Sequence, residues 1–184
     1  MELIATATTD DLLSAVRSSW DELHVSVGAA GAEWLERTLE AEDPAEKAWS
    51  PRQAAWHAVA GEFIRLAYLR YILAEKPNAP ADMMAFAASP AAGDAGLSAL
   101  RARSPEIRTV DDMLAVCTQL RDSTATFVRG LSESDLVAEA TLSDFMREYL
   151  GGHGQIANND VRGSLLHGVV HLQDHAHQIA ACAR

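Results

Sequence analysis

Ser164–Ala180 reads SLLHGVVHLQDHAHQIA, and its pattern decides the fold. The stretch holds no proline and is apolar on nearly every helical face, which places a helix in an interior. His167, His171 and His175 recur at steps of four, so they stack along one side of that helix. Leu165, Val169, Leu172 and Ile179 surround them. A buried neutral imidazole without partners costs roughly 1–3 kcal/mol. Three on one face therefore need either partners or a ligand.

A buried helix requires other helices around it. This last one is predicted to begin near Asn159 and to run close to the C-terminus. A first is predicted from Asp10 to Leu39, with a Thr8/Asp11 capping box. Its stripe is Leu13, Val16, Trp20, Leu23, Val27, Ala30 and Trp34, weakened by Gly28 and Gly31. Pro44, within DPAE (Asp43–Glu46), breaks it. A second helix starts at Ser50-Pro51, with Gln53 completing a box, and runs to about Glu75. Its stripe is Ala54, His57, Gly61, Ile64, Tyr68 and Ile72. A third starts at Thr109 with Asp112, on the stripe Met113, Cys117, Leu120, Thr124, Phe127 and Leu131.

Between the second and third lie Lys76 to Arg108, with four prolines and a helical turn predicted around Asp82–Phe86. Between the third and fourth lie Ser132 to Asn158, with a short helix predicted over Leu142–Leu150 and a Gly-rich stretch at 151–154. Connections that long suggest crossovers. The expected class is all-α, a four-helix bundle with long connections between helices 2–3 and 3–4.

Bulk properties narrow the function. The 184 residues are 48% hydrophobic and 22% charged, a globular balance. Fifteen cations face 26 anions, a formal net charge of −11 that repels phosphate backbones and anionic membranes. Neither a nucleic acid nor a membrane is expected as partner. Cys117 and Cys182 make no CxxC pattern and read as reduced core residues. The N-terminus lacks the features of a signal peptide, and no run reaches the ~18 apolar residues of a membrane span. A cytoplasmic location is the expectation.

Two histidines four apart on a helix can aim ring nitrogens at one point. The third ligand must come from elsewhere, and His57 sits in the second helix's stripe beside Ala54 and Gly61, which leave room. Three neutral imidazoles plus water make an open, catalytic type of metal site. His167 stays ambiguous, as a ligand in place of His175 or as a neighbour of the site. The plainer alternative is a histidine cluster that only packs, so that no metal co-purifies. His24, His153 and His177 read as ordinary polar residues, and Trp49 and Trp56 as packing at the start of the second helix. Glu62 and Gln178 could support ligands, with a structural part expected for both.

WSPRQAAWHAVAGE (Trp49–Glu62) resembles the second-helix signature of the DinB-like (YfiT-like) superfamily, in which a Trp-Ser start precedes a metal-binding histidine. LLHGVVHLQDHAHQI (Leu165–Ile179) resembles that superfamily's last-helix signature, HisxxxHisxxGlnIle. The resemblance implies one bundle domain over residues 1–184 and a histidine triad of metal ligands, His57, His171 and His175, with His167 as an extra. Ala176 and His177 stand where the family often has Arg-Gly.

The superfamily includes S-transferases that use mycothiol or bacillithiol, and a mycothiol-dependent maleylpyruvate isomerase. The resemblance thus implies a divalent cation, with zinc ahead of nickel, iron or manganese, and a transferase or isomerase using a low-molecular-weight thiol on a small electrophile. The remaining readings are a metal-dependent hydrolase and a non-catalytic metal or small-ligand binding protein. Catalytic and thiol-binding residues are unassigned, and a homodimer stays open.

Overall fold

In a computed structural model, residues 6–35, 49–74, 80–154 and 158–182 are described. Four long helices carry the core: α1 (Thr9–Ala29), α2 (Pro51–Leu73), α5 (Val110–Arg129) and α8 (Val161–Cys182). Between α2 and α5 come α3 (Met83–Ala87) and α4 (Leu97–Arg103); between α5 and α8 come α6 (Glu133–Leu136) and α7 (Asp144–Gly152). Among the described residues there is no strand, only an isolated antiparallel bridge between Glu139 and Asp160. The protein is all-α.

The expected starts hold. Thr8 with Asp11, Ser50 with Gln53 and Thr109 with Asp112 each form a reciprocal capping box. Each box satisfies backbone donors that the first helical turn leaves without partners. Asp160 starts α8, its carboxylate accepting from the Gly163 N–H at 2.7 Å.

The first helix is shorter than its apolar stripe suggests. It ends at Ala29, and a 3-10 turn, Gly31–Trp34, follows. Gly31 takes φ +48, a left-handed conformation that a side chain would strain. The stripe continues through this turn, since Ala30 and Trp34 are buried. The predicted helix over residues 36–39 and the break at Pro44 lie outside the described residues, as do Lys76 and Pro77. The α1 face is also rotated slightly from expectation, with Leu12 fully buried and Leu13 only half-buried.

Packing follows a closed ring. Helix α8 lies between α1 and α2, and α5 lies between the same two on the other side. The core comes from Trp20 and Leu23 of α1, Val59 and Leu69 of α2, Met113 and Leu120 of α5, and Leu172 and Ile179 of α8. Each fully buried side chain of this size contributes roughly 1.5–3 kcal/mol. Because α2 and α8 are neighbours, residues facing their shared groove can converge, and His57, His171 and His175 lie on these two helices.

The long connections are not bare loops. The turn expected at Asp82–Phe86 is α3, capped by Asp82, and the helix expected at Leu142–Leu150 is α7. Ser132, at the start of the second connection, caps the one-turn α6 in a box with Asp135. Arg52 of α2 holds the end of the first connection by donating to the carbonyls of Ile107, at 2.6 Å, and Ser104. Trp34 Nε1 donates to the Arg108 carbonyl at 3.2 Å. No described helix is long and apolar enough to cross a membrane.

The Ser50/Gln53 box fixes where α2 begins and therefore the rotation at which His57 leaves it. Ser50→Ala should lower the unfolding free energy by about 1 kcal/mol. Urea titration followed by circular dichroism measures this, with the slope expected to stay unchanged.

Candidate metal centre and cavity

Three imidazoles meet between α2 and α8. One ring nitrogen from each of His57, His171 and His175 can be chosen so that all lie within 4.8 Å of one another. Ring centroids are 5.1 Å apart for His57–His171, 5.0 Å for His57–His175 and 4.6 Å for His171–His175. The Nε2 atoms of His171 and His175 are 3.2 Å apart. Donors of a tetrahedral ion bound at ~2.0–2.1 Å stand ~3.3 Å apart, so this pair already has the right separation.

Local features place each ring. His175 Nδ1 lies 2.8 Å from Gln178 Oε1, one turn along α8. With that oxygen accepting, the proton is on Nδ1 and the Nε2 lone pair turns to the cluster. Gln178 therefore orients the His175 ring, the supporting part weighed for it beside the structural one that was expected. His171 is admitted by Gly61, since a Cβ there would stand 3.2 Å from His171 Cε1. His171 Nδ1 is sealed from solvent and has no hydrogen-bond partner among the described residues. The donor set itself fits a metal, since imidazole nitrogens from two helices converge and the Nε2 atoms of His171 and His175 stand at the distance of two ligands of one ion.

His57 occupies the exposed rim, not the buried core that its stripe suggested. Its ring is still enclosed, 4.6 Å from Trp49 between centroids and flanked by the other two histidines. That desolvation, with the nearby His175, pushes its pKa down to about 4. Burial first, then the surrounding His175, Arg65, His57 and His167, pushes His171 well below the usual value. Both rings are neutral at pH 7, the form that binds a metal.

A second polar group lies one turn back along α8. His167 is 5% exposed, Arg65 2% and Glu62 4%. Arg65 Nη1 donates to Glu62 Oε1, and Arg65 Nη2 lies 2.5 Å from His167 Nδ1. Breaking a buried pair of this kind by removing one partner costs roughly 3–5 kcal/mol. Gly168 makes it fit, because a Cβ there would overlap the Arg65 guanidinium. Burial raises the Glu62 pKa, and the Arg65 charge pulls it back. Burial and the Arg65 charge push His167 down to about 2. His167 is thus not in the triad; it belongs with Arg65, as a neighbour of the site.

Both groups open on one cavity of about 700 Å³. That lies within the ~300–1,000 Å³ of small-molecule sites. The first connection walls it with Met83, Leu97 and Leu100, the second with Phe145, Met146 and Tyr149. Trp49 and Trp56 also line it, so they are cavity wall as well as packing. Tyr149 donates to Asp174 Oδ2, which also lies 3.0 Å from His153 Nε2. His153 therefore ties α7 to α8, a role its Gly-rich neighbourhood hides. Cys117 is 1% exposed in the core, and burial pushes its pKa to about 12. The Cys182 side chain lies outside the described residues, and His24 and His177 stand apart from the cavity.

Acid should destabilise the metal-free protein. An unfolded histidine titrates near ~6.5. His57 and His167 titrate lower when folded, so below about pH 6.5 the unfolded state binds more protons and stability falls with pH. The His57 contribution is exhausted near its folded value of about 4, and that of His167 only near about 2. His167→Gln keeps an acceptor for Arg65 without a titrating ring. Urea unfolding in EDTA between pH 7 and 4.5 should give a slope shallower by about one proton in the variant, up to ~1.4 kcal/mol per pH unit. Glu62 is common to both proteins and drops out of the difference.

A family model described as the DinB superfamily matches residues 5–179. No curated protein and no solved structure matches the chain. The matched span contains the three converging histidines and the helices that carry them. The chain belongs to the DinB superfamily.

Proposed function

We propose that the protein binds one divalent cation on His57, His171 and His175, and that it transfers a low-molecular-weight thiol, of the mycothiol type, to a small electrophile in the cavity. The observation that carries this reading is the convergence of three imidazole nitrogens within 4.8 Å of one another at a cavity wall. Zinc suits an all-imidazole set, and nickel, iron or manganese would also be accepted. When bound, a divalent cation lowers a thiol's pKa and favours the thiolate.

The chain's own residues would do the rest. Gln178 keeps the His175 lone pair turned inward, and Gly61 lets His171 approach α2. Trp49 limits the swing of the His57 ring at the rim. Met83, Leu97, Leu100 and Met146 supply an apolar wall that excludes water and suits the carbon skeleton of an electrophile. None of the described cavity-lining residues is a cysteine, so in this reading the thiol nucleophile enters from outside. His57 at the exposed rim leaves the centre approachable, which favours an exchangeable position over a closed structural site.

Protein purified without a His tag should carry about one metal ion per chain by elemental analysis, and His171→Ala should carry essentially none. Added metal should raise the thermal midpoint of the wild type and leave the variant unchanged. Loaded protein given a thiol and 1-chloro-2,4-dinitrobenzene should release chloride and form the S-aryl conjugate faster than His171→Ala. A metal-free wild type would overturn the ligand set. Hydrolysis of esters without any thiol, and no conjugate, would overturn the S-transfer reading.

A further inference from the structure

His167 has one nitrogen committed and one available. Arg65 carries no lone pair, so the contact between its Nη2 and His167 Nδ1 can only be donation from arginine. The ring proton is therefore on Nε2. That nitrogen has no protein partner among the described residues and is not sealed from solvent, although the residue is 5% exposed and lines the cavity. A neutral N–H donor thus faces the cavity, one turn from His171. The tautomer is fixed from behind by a buried guanidinium, itself held by Glu62.

The charges around the cavity are opposite to those of the chain. The formal net charge is −11, yet the charged cavity-lining residues are Arg52, Arg65, Arg101 and Asp174. Asp174 is already engaged by Tyr149 and His153. Glu62 offsets Arg65 and Asp174 offsets one further charge, which leaves one surplus positive charge between Arg52 and the exposed Arg101. A donor facing a locally positive cavity suits an acceptor that carries negative charge.

We propose that His167 is a substrate-binding residue whose Nε2–H donates to an anionic oxygen, such as a carboxylate, of the molecule seated in the cavity. The proposal rests on the reading of this cavity as the substrate site, and it names the class of electrophile as one bearing a carboxylate. The carboxylate lies beside His167, and the reacting carbon lies toward the histidine triad.

Imidazole ¹⁵N–¹H correlation spectra of the whole protein test it, with succinate as probe and succinamide as its uncharged counterpart. Spectra are recorded after EDTA treatment and again with zinc added, so that ligation of succinate by metal is separated from binding at His167. Free protein should show His167 protonated on Nε2 alone. Succinate should shift that signal with or without zinc, and succinamide should bind at least roughly tenfold more weakly. His167→Phe should weaken succinate by a similar factor, and His167→Gln, which can still accept from Arg65 and donate into the cavity, should largely restore it. A proton on Nδ1 in the wild type overturns the proposal whether or not the variants fold. So does succinate that fails to bind or leaves the His167 signal unmoved. Equal binding of succinamide overturns the anionic class. A zinc-independent shift in a protein that holds no metal would leave this inference standing and remove the metal reading; a metal-loaded protein without the shift would do the reverse.

Discussion

A helix buried on nearly every side can carry polar rings only where each ring meets a partner, and this condition on α8 organises the rest of the structure. Leu165, Val169, Leu172 and Ile179 commit the helix to the interior. His167, His171 and His175 then face the groove with α2, where water is scarce. Hydrogen bonding within the chain satisfies them only in part. His175 has Gln178, and His167 has Arg65. Among the described residues, His171 Nδ1 and His167 Nε2 have no protein partner. His167 Nε2 and the converging Nε2 atoms of His171 and His175 belong to residues that line the same cavity.

Close approach of α2 and α8 comes from two glycines inside helices. Gly costs about 1 kcal/mol relative to Ala in a helix interior. Gly61 is offset by the space it gives His171, and Gly168 by the space it gives Arg65. One glycine on each helix thus serves a ring or a guanidinium from the other. The long connections complete the enclosure. The first, held by Arg52 at its far end, and the second, held by the contacts of Tyr149 and His153 with Asp174, lie over the same groove. They act as walls rather than simple crossovers, and their exposed apolar residues Met84 and Phe145 stand at the cavity.

The helix starts and the histidine pair of α8 were legible in the sequence because both depend on local spacing. Capping boxes need only four consecutive residues, and the two histidines on α8 need only a step of four. The family signatures around Trp49–Glu62 and Leu165–Ile179 then assigned His57 to the same centre. Tertiary effects were less legible. The end of α1 is set by the left-handed turn at Gly31, which an apolar stripe running through it conceals. His57 at the rim cannot be told from a core position by periodicity, since rim and core share one helical face. Arg65 passed unnoticed because an arginine three residues from a glutamate usually marks a solvated pair. Its flanking Ile64 and Leu66, together with an isolated Gly168 on the facing helix, were the available signal. Tyr149 and Asp174 come from distant segments with no shared motif.

The central claim is that imidazoles from two helices share one cation. X-ray absorption at the metal edge, on protein purified without a His tag, examines that coordination sphere directly. The account predicts about three imidazole nitrogens, at ~2.0–2.1 Å if the metal is zinc, with the imidazole scattering reduced in His57→Ala. A sphere of oxygen alone, or one unchanged by loss of His57, would contradict it.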